Sequence, residues 1–318
     1  MQNNSKSIML IDAYNVFIRN FSANPLMVEG QHVGGVIGFL QTLSNLLHSH
    51  TPNDCVVVWE GGGSTRRRNI CPDYKEKRRP AKLNRFYEGD IPDTVENRNW
   101  QIKLLIHLLM QLPLKQVYVS DCEADDVIGY LSKYSYSDRN VLIVSSDHDY
   151  YQLIDDRIKV WSPTLKKIVT RDSVKERFGI WPHNFLVARC FCGDASDALQ
   201  GIKGLGLKTM IKKFPQLAEE DEVDIDNIVS YAETKLGKSK FYDLVKNNKD
   251  LGKMNWRLMR LDTSNLSGNQ VSKVNGIVEM PLPESKKLDF IRSLLKVGIK
   301  TFDVDRLFFN INLSLKRK

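Results

Sequence analysis

Acidic residues stand just after four short runs of the sequence that are rich in Val, Ile and Leu. In chain order these acids are Asp12, Glu60, the pair Asp121 and Glu123, and the pair Asp147 and Asp149. If the four runs are parallel strands, their carboxyl ends lie along one edge of a sheet, where α/β proteins bind ligands. Acidic residues also favour turns and helix N-termini, but that preference does not explain why all four sets should line one crevice.

Carboxylates that share a crevice repel one another, and a bound cation relieves this repulsion. Candidate ligands that are all carboxylate oxygens favour Mg²⁺ or Mn²⁺ over Zn²⁺. The chain as a whole carries a formal net charge of +8 at pH 7, an excess that is common in proteins that bind polyanions. An acidic crevice in a basic protein predicts phosphate chemistry, in which two metal ions about 3.5–4 Å apart activate water and stabilise the leaving oxygen.

Two of the acidic motifs have a spacing that constrains their geometry. The stretch CEADDVIGYL places Glu123 at a strand–helix junction and Asp125 and Asp126 in the first helical turn. Neighbouring helical positions point about 100° apart, so Asp125 and Asp126 cannot serve one ion in the same way. In SSDHDYYQLI, Asp147 and Asp149 lie on the same side of the backbone if it is extended. A DxD also occurs in phosphatases of the haloacid dehalogenase type, but it follows their first strand, whereas here it follows the last of the series.

A further acidic pair, Asp194 and Asp197, occurs in the stretch FCGDASDALQG. Positions three apart lie on one face of a helix, so the two carboxylates are neighbours if this stretch is helical. In isolation, such a pair is more often part of a solvated face than a set of ligands.

A long basic insertion separates the second and third strand-like runs. From Gly61 to Arg98 no core pattern is recognisable, and a long insertion of this kind in a compact domain is usually functional or disordered. Its cations include Arg66, Arg67, Arg68, Lys75, Lys77, Arg78, Arg79, Lys82 and Arg85, with Tyr74, Phe86 and Tyr87 interleaved. From composition alone, a solvated charge run is the more common interpretation.

The elements that must position these residues alternate along the first half of the chain. The four apolar runs show little internal alternation, which is typical of strands buried on both faces of a parallel sheet. They are Ser7–Ile11, Cys55–Trp59, Gln116–Ser120 and Asn140–Ser146. Helical patterns lie between them, at Val33–His48, Trp100–Leu112 and Asp125–Tyr134. Strands that alternate with helices predict an α/β fold with a mostly parallel sheet.

The rest of the chain sets broader limits. After about Phe178 the sequence favours helices, interrupted by the glycine-rich GIKGLGLKT at Gly201–Thr209 and by a polar segment, Leu261–Val278, that is typical of a loop.

The length of 318 residues, 42% of them hydrophobic, suffices for one large domain or two closely joined ones. The five cysteines form no CxxC pair, so we expect free thiols in a reducing cytosol. With no apolar run near the roughly 20 residues of a membrane span and no signal-peptide pattern, we expect a cytoplasmic protein.

Six stretches together resemble the flap endonuclease and 5′–3′ exonuclease family. They occur in the family's order between Leu10 and Thr209, and they are LIDAYNVFIR, VVVWE, CPDYKEKR, EADDVIGYL, IVSSDHDYYQL and GDASDALQGIKGLGLKT. Any one of them is a weak signal, whereas the ordered set is specific. The stretch VWSPTLKKIV, just after the second acidic motif, is similar to the phage enzyme called ribonuclease H, so the resemblance points to the phage branch of the family.

The resemblance implies a PIN-like α/β fold, in which a mostly parallel twisted sheet is flanked by helices. It implies a basic arch inserted at about 61–98, through which a 5′ single strand threads, and a helical C-terminal region that contains a helix-three-turn-helix. On this basis the chain divides into a nuclease domain at 1–180 and a DNA-binding region at 181–318.

The resemblance also implies two metal sites, each for Mg²⁺, with Mn²⁺ able to substitute. The first site takes Asp12, Glu60, Glu123 and Asp125, with Asp126 in support. The second site takes Asp147, Asp149, Asp194 and Asp197.

Three positions depart from the family's pattern. Glu60 stands where the family has Asp, and its extra methylene shifts the carboxylate by about 1.5 Å, so direct binding of a metal and binding through water are both open. The stretch DALQG, which begins at Asp197, replaces the usual DNIPG and leaves the local helix entry unpredicted. His148 replaces Gly or Lys, and the sequence assigns it no role.

Phosphate-facing residues are implied by the same resemblance. Lys75, in DYKEKR, faces the scissile phosphate with Arg78 nearby, where a cation stabilises developing charge. Tyr74 either stacks on a base or packs in the core, and the sequence leaves both alternatives open. Farther along the arch, Arg79 and Lys82 contact nucleic acid.

The glycine-rich stretch GIKGLGLKT resembles the turn of the helix-three-turn-helix. Gly204 and Gly206 allow the backbone to come close to DNA phosphates. Lys203, Lys208 and Thr209 are the phosphate contacts of this turn, and backbone groups there hold a K⁺ ion.

These inferences predict a structure-specific 5′ nuclease, a 5′–3′ exonuclease and flap endonuclease that acts on branched, nicked or flapped duplex DNA and on RNA–DNA hybrids in replication or repair. We expect a monomer that works beside a separate DNA polymerase and contacts no membrane; a sliding clamp or single-strand-binding protein as a partner is left open. Two alternatives remain. A PIN-type ribonuclease of single-stranded RNA usually has a much shorter chain without an arch, and a non-catalytic branched-DNA-binding protein should lack some of the acids.

Overall fold

A central sheet organises the structure. The structure is a computed structural model that describes residues 6–75 and 95–315; of Thr263 it describes the backbone alone. The predicted contacts Arg78, Arg79 and Lys82, and half of the arch predicted at 61–98, lie outside the described residues. The strands are β1 (Ser7–Asp12), β2 (Met27–Val28), β3 (Gln31–His32), β4 (Asp54–Trp59), β5 (Lys115–Tyr118), β6 (Asn140–Val144), β7 (Ile158–Ser162) and β8 (Lys167–Val169).

The main sheet has the strand order β5-β4-β1-β6-β7-β8, and its neighbours are parallel except for β7 and β8. β2 and β3 form a separate small hairpin. The predicted fold class and the four predicted strands are confirmed. The sequence did not predict β7 and β8, because the exposed Lys159 and Lys167 interrupt the apolar pattern toward the edge of the sheet.

The strand order changes direction at β1. The chain runs from β1 to β4 and β5 on one side, and then returns to β6 on the other side of β1. Ligand sites of parallel α/β sheets lie at the carboxyl ends of the strands beside such a switch point. Three of the predicted acids, Asp12, Glu60 and Asp147, follow the three adjacent strands β1, β4 and β6, so the topology brings them to one crevice.

Helices cover both faces of the sheet. In the described residues the α-helices are α1 (Ala13–Ala23), α2 (Gly34–His50), α3 (Thr65–Ile70), α4 (Val95–Leu109), α5 (Ala124–Tyr130), α6 (Arg171–Phe178), α7 (Pro182–Cys192), α8 (Leu207–Lys213), α9 (Ile225–Glu233), α10 (Lys240–Asn247), α11 (Lys249–Met259), α12 (Gly268–Glu279), α13 (Lys287–Lys296) and α14 (Val304–Ser314). The predicted helices are present with shifted ends. No helix among these is both long enough and apolar enough to cross a membrane.

The prediction of a loop at Leu261–Val278 was wrong, because this segment contains most of α12. Ser267 begins the helix through a capping box with Gln270, in which each side chain bonds the other residue's backbone. Only Val274 of α12 is buried among the described residues. Val271, Ile277 and Val278 pack against the same core at helical spacing while only partly buried, so this narrow apolar stripe and the capping signal are what the interpretation as a polar loop overlooked.

Alternate residues of β1 point to opposite faces of the sheet and enter two different cores. Ile8 and Leu10 belong to a core that includes α5 and the helices from α6 to α12. Met9 and Ile11 belong to a second core, formed with α1, α2, α4 and the last helices α13 and α14. Both cores contain residues from before and after the predicted boundary at residue 180, so the C-terminal helices pack directly onto both faces of the sheet.

A buried histidine ties the β2–β3 hairpin to α4. The side chain of His32 is 1% exposed, and its Nε2 lies 2.7 Å from the carbonyl oxygen of Asn24. Its Nδ1 faces the side-chain amide nitrogens of Gln101, at 3.1 Å, and Asn97, at 3.4 Å. We assign the hydrogen to Nε2, because Nδ1 then accepts from the amides. Burial lowers the pKa of His32, so the ring is held neutral.

We predict that the buried His32 makes the protein less stable in mild acid. Its pKa in the folded state lies below the ordinary value of 6.5, so the unfolded chain binds the proton more tightly. The stabilisation is complete above about pH 6.5 and is lost as pH falls, by up to about 1.4 kcal/mol per pH unit. In urea unfolding between pH 7.5 and 5.5, the free energy of unfolding of the wild type should fall relative to that of His32→Gln, because the carboxylates of the crevice are the same in both proteins and only His32 differs. The exposed His48→Gln should follow the wild type; parallel pH dependences in all three proteins would contradict the assignment.

Candidate active site

Asp12 ends β1, and its carboxylate is enclosed at the switch point. Its Oδ1 accepts a hydrogen bond from the backbone N–H of Asn15 at 3.2 Å, which caps α1. The hydroxyls of Ser145 and Tyr150 donate to its Oδ2 at 3.1 and 3.2 Å. Burial, together with the charge of Asp147, raises the pKa of Asp12 to about 6.

Glu60 follows β4 and faces the same crevice. Its Oε2 accepts a hydrogen bond of 3.3 Å from the backbone N–H of Ala124, at the start of α5. Burial, reinforced by the negative charges of Asp12 and Asp125, raises the pKa of Glu60 to about 8. The longer side chain thus lies close enough to both acids for strong electrostatic interaction.

The buried guanidinium of Arg67, in α3, holds the acids of α5 together. Its Nη1 donates to Glu123 at 2.6 Å and to Asp126 at 2.7 Å, and it lies 3.5 Å from Asp125. Its Nη2 donates to Asp126 at 2.8 Å, and its Nε donates to the carbonyl oxygen of Leu258 at 2.8 Å. The side chain is 1% exposed. Arg67 therefore neutralises the acidic motif from inside the protein.

Asp126, predicted to support the first metal site, binds Arg67 through its carboxylate. The Arg67 guanidinium binds both of its oxygens, and Oδ1 also accepts from the side-chain amide of Asn265 at 2.7 Å. The residue is fully buried, and burial together with the charge of Asp125 raises the pKa of Asp126 to about 7. With both oxygens bonded, Asp126 anchors the guanidinium that also contacts Glu123 and Asp125.

Lys75 reaches into the acidic crevice from the segment that follows α3. Its Nζ lies 2.9 Å from Glu123 and 3.7 Å from Asp197. Its backbone has a φ of 58°, and its N–H donates to the carbonyl oxygen of Asp197 at 3.1 Å. A left-handed conformation is strained for a residue with a side chain. The contact with Asp197 holds it in place and fixes the lysine between the two acidic groups.

Tyr74 packs inside the protein, which decides between the two alternatives that the sequence left open. The residue is 8% exposed, and its hydroxyl donates to Glu123 at 3.0 Å. The guanidinium of Arg67 and the ammonium of Lys75 lie 5.8 and 5.2 Å from the centre of its ring. The predicted nucleic-acid contact by base stacking does not fit this placement, because so little of the ring is exposed.

Three carboxylates of the predicted second metal site converge. Oxygens of Asp149, Asp194 and Asp197 lie within 4.8 Å of one another. Asp194 caps a 3₁₀ helix, Ala195–Asp197, and the three-residue period of such a helix brings positions three apart to one side. Arg189, in α7, pairs with Asp149 at 2.9 Å and also with Asp194. A cation thus already lies against two of the three acids.

Asp147 and Asp149 would lie on one side of the backbone if it were extended at both residues, but only Asp147 is extended and Asp149 lies in a 3₁₀ helix. Asp147 caps the 3₁₀ helix His148–Leu153, and its Oδ1 accepts from the backbone N–H of Asp149 at 2.9 Å. Burial, followed by the charge of Asp147, raises the pKa of Asp149 well above its usual range. Since the charge of Asp147 also acts on Asp12, Asp147 connects the two acidic groups electrostatically.

The glycine-rich stretch forms a turn between α7 and α8. Gly204 has a φ of 82°, which favours glycine, and Gly206 caps α8 with nothing within 4 Å of the place where a Cβ would stand. Lys203 and Lys208 are exposed beside it, and Thr209 is half-buried. The backbone of this turn is therefore open to a large ligand.

Two arginines of the site were missed from the sequence. Arg67 was one of three consecutive arginines in a basic run, and nothing in composition separates it from Arg66 and Arg68. Arg189 was not singled out at all. A weak signal for Arg67 is Ser64, whose side chain caps α3 at the Arg67 backbone N–H and so indicates a helix that directs one arginine inward.

We predict that Arg67 is essential to stability in a way that its neighbour is not. Arg67→Met leaves Glu123 and Asp126 buried without their counter-charge, which costs about 3–5 kcal/mol. Arg68→Met removes a side chain that is 48% exposed and 3.8 Å from Asp121, so its effect should stay below about 1 kcal/mol. Urea unfolding in EDTA measures both free energies of unfolding. Similar values for the two variants would mean that the buried carboxylates do not depend on Arg67.

The comparison with known proteins agrees with this arrangement. The model of the 5′-3′ exonuclease N-terminal resolvase-like domain matches residues 7–179. A 5′-3′ exonuclease of Buchnera aphidicola subsp. Schizaphis graminum is 31% identical over 216 residues, which cover 66% of this chain and 69% of that protein. A 5′-3′ exonuclease of Aquifex aeolicus is 27% identical over 285 residues, 82% of this chain and 94% of that protein.

A solved structure supports the same fold. A bacteriophage T5 flap endonuclease, in a pseudo-enzyme–product complex with DNA and metal ions, superposes with a TM-score of 0.66 at 19% identity, covering 93% of this chain and all of that one. At this identity the likeness concerns the fold alone. The matched domain includes the crevice residues Asp12, Glu60, Glu123 and Asp147. The chain belongs to the 5′-3′ exonuclease family and is a nuclease.

Proposed function

We propose that the protein is a structure-specific 5′ nuclease, which removes 5′ ends and flaps from DNA, and RNA primers from DNA, by metal-dependent hydrolysis in replication or repair. The observation that carries this proposal is the convergence of carboxylates from β1, β4, β6 and α5 at one end of the sheet, with Asp149, Asp194 and Asp197 within 4.8 Å of one another. The net charge of +8 suits a polyanionic substrate.

The donor set of the crevice fits hard divalent cations. The groups that converge are carboxylates, and several have raised pKa values because burial and like charges oppose their ionisation. Such groups favour Mg²⁺ or Mn²⁺. Asp12, Glu60, Glu123 and Asp125 would hold one ion, and Asp147, Asp149, Asp194 and Asp197 the other. Bound there, the ions would supply an activated water and charge stabilisation at the leaving oxygen.

The side chains around the acids have separate tasks. Lys75 lies between Glu123 and Asp197, where its ammonium can exchange a carboxylate for a non-bridging oxygen of the scissile phosphate and stabilise developing charge. Tyr74 donates to Glu123 and keeps that carboxylate oriented. Arg67 positions the acids of α5, and Arg189 neutralises Asp149 and Asp194 until substrate and metal bind.

Nucleic acid would lie along the open glycine turn and through the arch. Gly204 and Gly206 allow close approach of a phosphate backbone, and Lys203, Lys208 and Thr209 are the side chains beside it. Backbone carbonyls of this turn would bind K⁺. The arch cations Arg78, Arg79 and Lys82, which lie outside the described residues, would guide a 5′ single strand.

Finer assignments rest on the sequence. The stretch VWSPTLKKIV supports the phage branch of the family. We propose a cytoplasmic monomer that acts beside a separate DNA polymerase, with the nuclease domain at 1–180 and the DNA-binding region at 181–318. A sliding clamp or a single-strand-binding protein would be a further partner.

The proposal is tested by cleavage of 5′-labelled flap, nicked and single-stranded substrates with Mg²⁺ and with EDTA. The wild type should cut the flap and nicked substrates in Mg²⁺ and lose activity in EDTA. Asp149→Asn should lower the rate at least 100-fold while keeping DNA binding, because it removes a ligand charge and lessens repulsion of DNA. Asp156→Asn, whose side chain is 90% exposed, should cut like the wild type. Full cleavage in EDTA, or preference for single-stranded RNA, would overturn the proposal.

We predict that divalent ions stabilise the protein increasingly as pH rises. The raised pKa values, about 6 for Asp12 and about 8 for Glu60, mean that protonation favours the folded state. In EDTA that stabilisation is present at low pH and is lost as pH rises through about 6 and then about 8. Metal ions bind the deprotonated carboxylates, so the rise in melting temperature caused by Mg²⁺ should grow from pH 6 to pH 8.5.

Glu60→Gln isolates the part of the pH dependence of stability that comes from the ionisation of Glu60 near pH 8. In EDTA its melting temperature should fall less between pH 7 and pH 8.5 than that of the wild type, because glutamine does not titrate. The exposed Glu176→Gln serves as the control and should behave like the wild type. A Glu60→Gln curve that parallels the wild type over this range would show that the ionisation of Glu60 is not suppressed in the folded protein.

A further inference from the structure

A second lysine-rich turn lies in the helical region, between α9 and α10. We call residues 235–240, with the sequence KLGKSK, the basic turn. It contains Lys235, Lys238 and Lys240, and Gly237 adopts a φ of 74°, which permits the tight reversal between the two helices. Neither the family pattern nor the acidic crevice accounts for these residues.

The basic turn lies next to the glycine turn, residues 201–206. Phe241, the residue that follows the basic turn, has its ring edge 4.0 Å from the place where a Cβ would stand on Gly204. The hydroxyl of Tyr242 donates to the carbonyl oxygen of Lys213, at the end of α8, at 3.1 Å. These two contacts fix the start of α10 against both the glycine turn and the helix that the glycine turn begins.

The lysines of the two turns form an uncompensated positive surface. Lys203, Lys208, Lys238 and Lys240 are all exposed, and within the described part of the chain none forms an ion pair with an acid. By contrast, Lys249 and Lys253 of α11 both pair with Asp226. The ammonium of Lys240 lies 5.3 Å from the centre of the Phe241 ring, so the ring whose edge faces Gly204 carries a cation on its face.

We propose that the basic turn and the glycine turn form one continuous surface that binds the sugar–phosphate backbone of duplex DNA. This inference rests on the proposed function and extends it to a surface that the sequence did not assign. Unpaired ammonium groups beside an open backbone suit phosphate oxygens, and the exposed Leu236, at 41%, suits contact with a deoxyribose. The second turn lengthens the contact with the duplex, so it contributes to affinity and leaves the chemistry at the crevice unchanged.

The test measures binding of a 5′-flap DNA by fluorescence anisotropy in EDTA, at KCl concentrations from 50 to 200 mM. Each phosphate contact contributes about 0.9 to the slope of log affinity against log salt. In the double variant of the basic turn, Lys238→Gln with Lys240→Gln, this slope should flatten by roughly two units. The affinity lost between 50 and 200 mM KCl should then shrink by roughly tenfold. The single-turnover cleavage rate in Mg²⁺ at saturating protein should stay at the wild-type value.

Two comparison variants make the outcome decisive. The glycine-turn variant, Lys203→Gln in the turn with Lys208→Gln in the adjoining first turn of α8, tests whether DNA lies on this side of the molecule at all. Lys300→Gln, an exposed lysine between α13 and α14, should keep the wild-type slope. Lys238→Gln alone changes no helical residue, so a slope flattened by about one unit at an unchanged melting temperature supports the surface without any effect on folding.

The proposal of a continuous surface is overturned if the basic-turn variants keep the wild-type slope of log affinity against log salt while the glycine-turn variant flattens it. In that case the lysines of 235–240 serve another anion, such as an acidic protein segment, and the proposed function stands. If the glycine-turn variant also keeps the wild-type slope, DNA does not lie on this side of the molecule and the surface fails with it; if the wild type does not cut the flap, the proposed function itself fails. The two failures are therefore distinguishable.

Discussion

Repulsion among buried carboxylates at one end of the sheet is the constraint on which the rest of the structure depends. Parallel strands deliver Asp12 and Glu60 to the same crevice, and the burial that makes the sheet stable also makes their ionisation unfavourable. Such a group of acids persists in a fold only if cations oppose it. Arg67, Lys75 and Arg189 provide this opposition from three different segments, so each of those segments must dock for the crevice to form.

The docking of the C-terminal half onto the acidic motif follows from this requirement. Arg67 donates to the carbonyl oxygen of Leu258, and the adjacent Arg66 donates to that of Arg257, so α3 is bonded to the end of α11. Asn265 completes the same network by bonding Asp126. The helical region is thereby linked to the chemistry as well as to both cores. The acidic crevice and the C-terminal helices are therefore assembled as one unit.

Prediction from the sequence succeeded where a short pattern carries its own physical meaning. A buried parallel strand is a run of apolar residues, and an acid at its carboxyl end lies at the crevice. The positions of Asp12, Glu60 and Asp147 at the crevice could therefore be predicted from the sequence alone. Prediction failed where the pattern is weak or where long-range packing decides. The last two strands of the sheet, β7 and β8, lack a continuous apolar run, and the apolar residues of α12 form only a narrow stripe in an otherwise polar segment.

The sequence by itself determined the fold class, the order of the acidic motifs and the family, because strand periodicity and motif order are local properties of the chain. Only the tertiary structure decided what each charge does. In the folded protein Tyr74 is buried, Asp126 binds Arg67, and Arg67 is the one of three consecutive arginines that contacts the buried acids. The physical reason is that the role of a charged side chain depends on which opposite charges lie within a few ångströms of it. Segments far apart in the chain, such as α3, α5 and the end of α11, supply those charges.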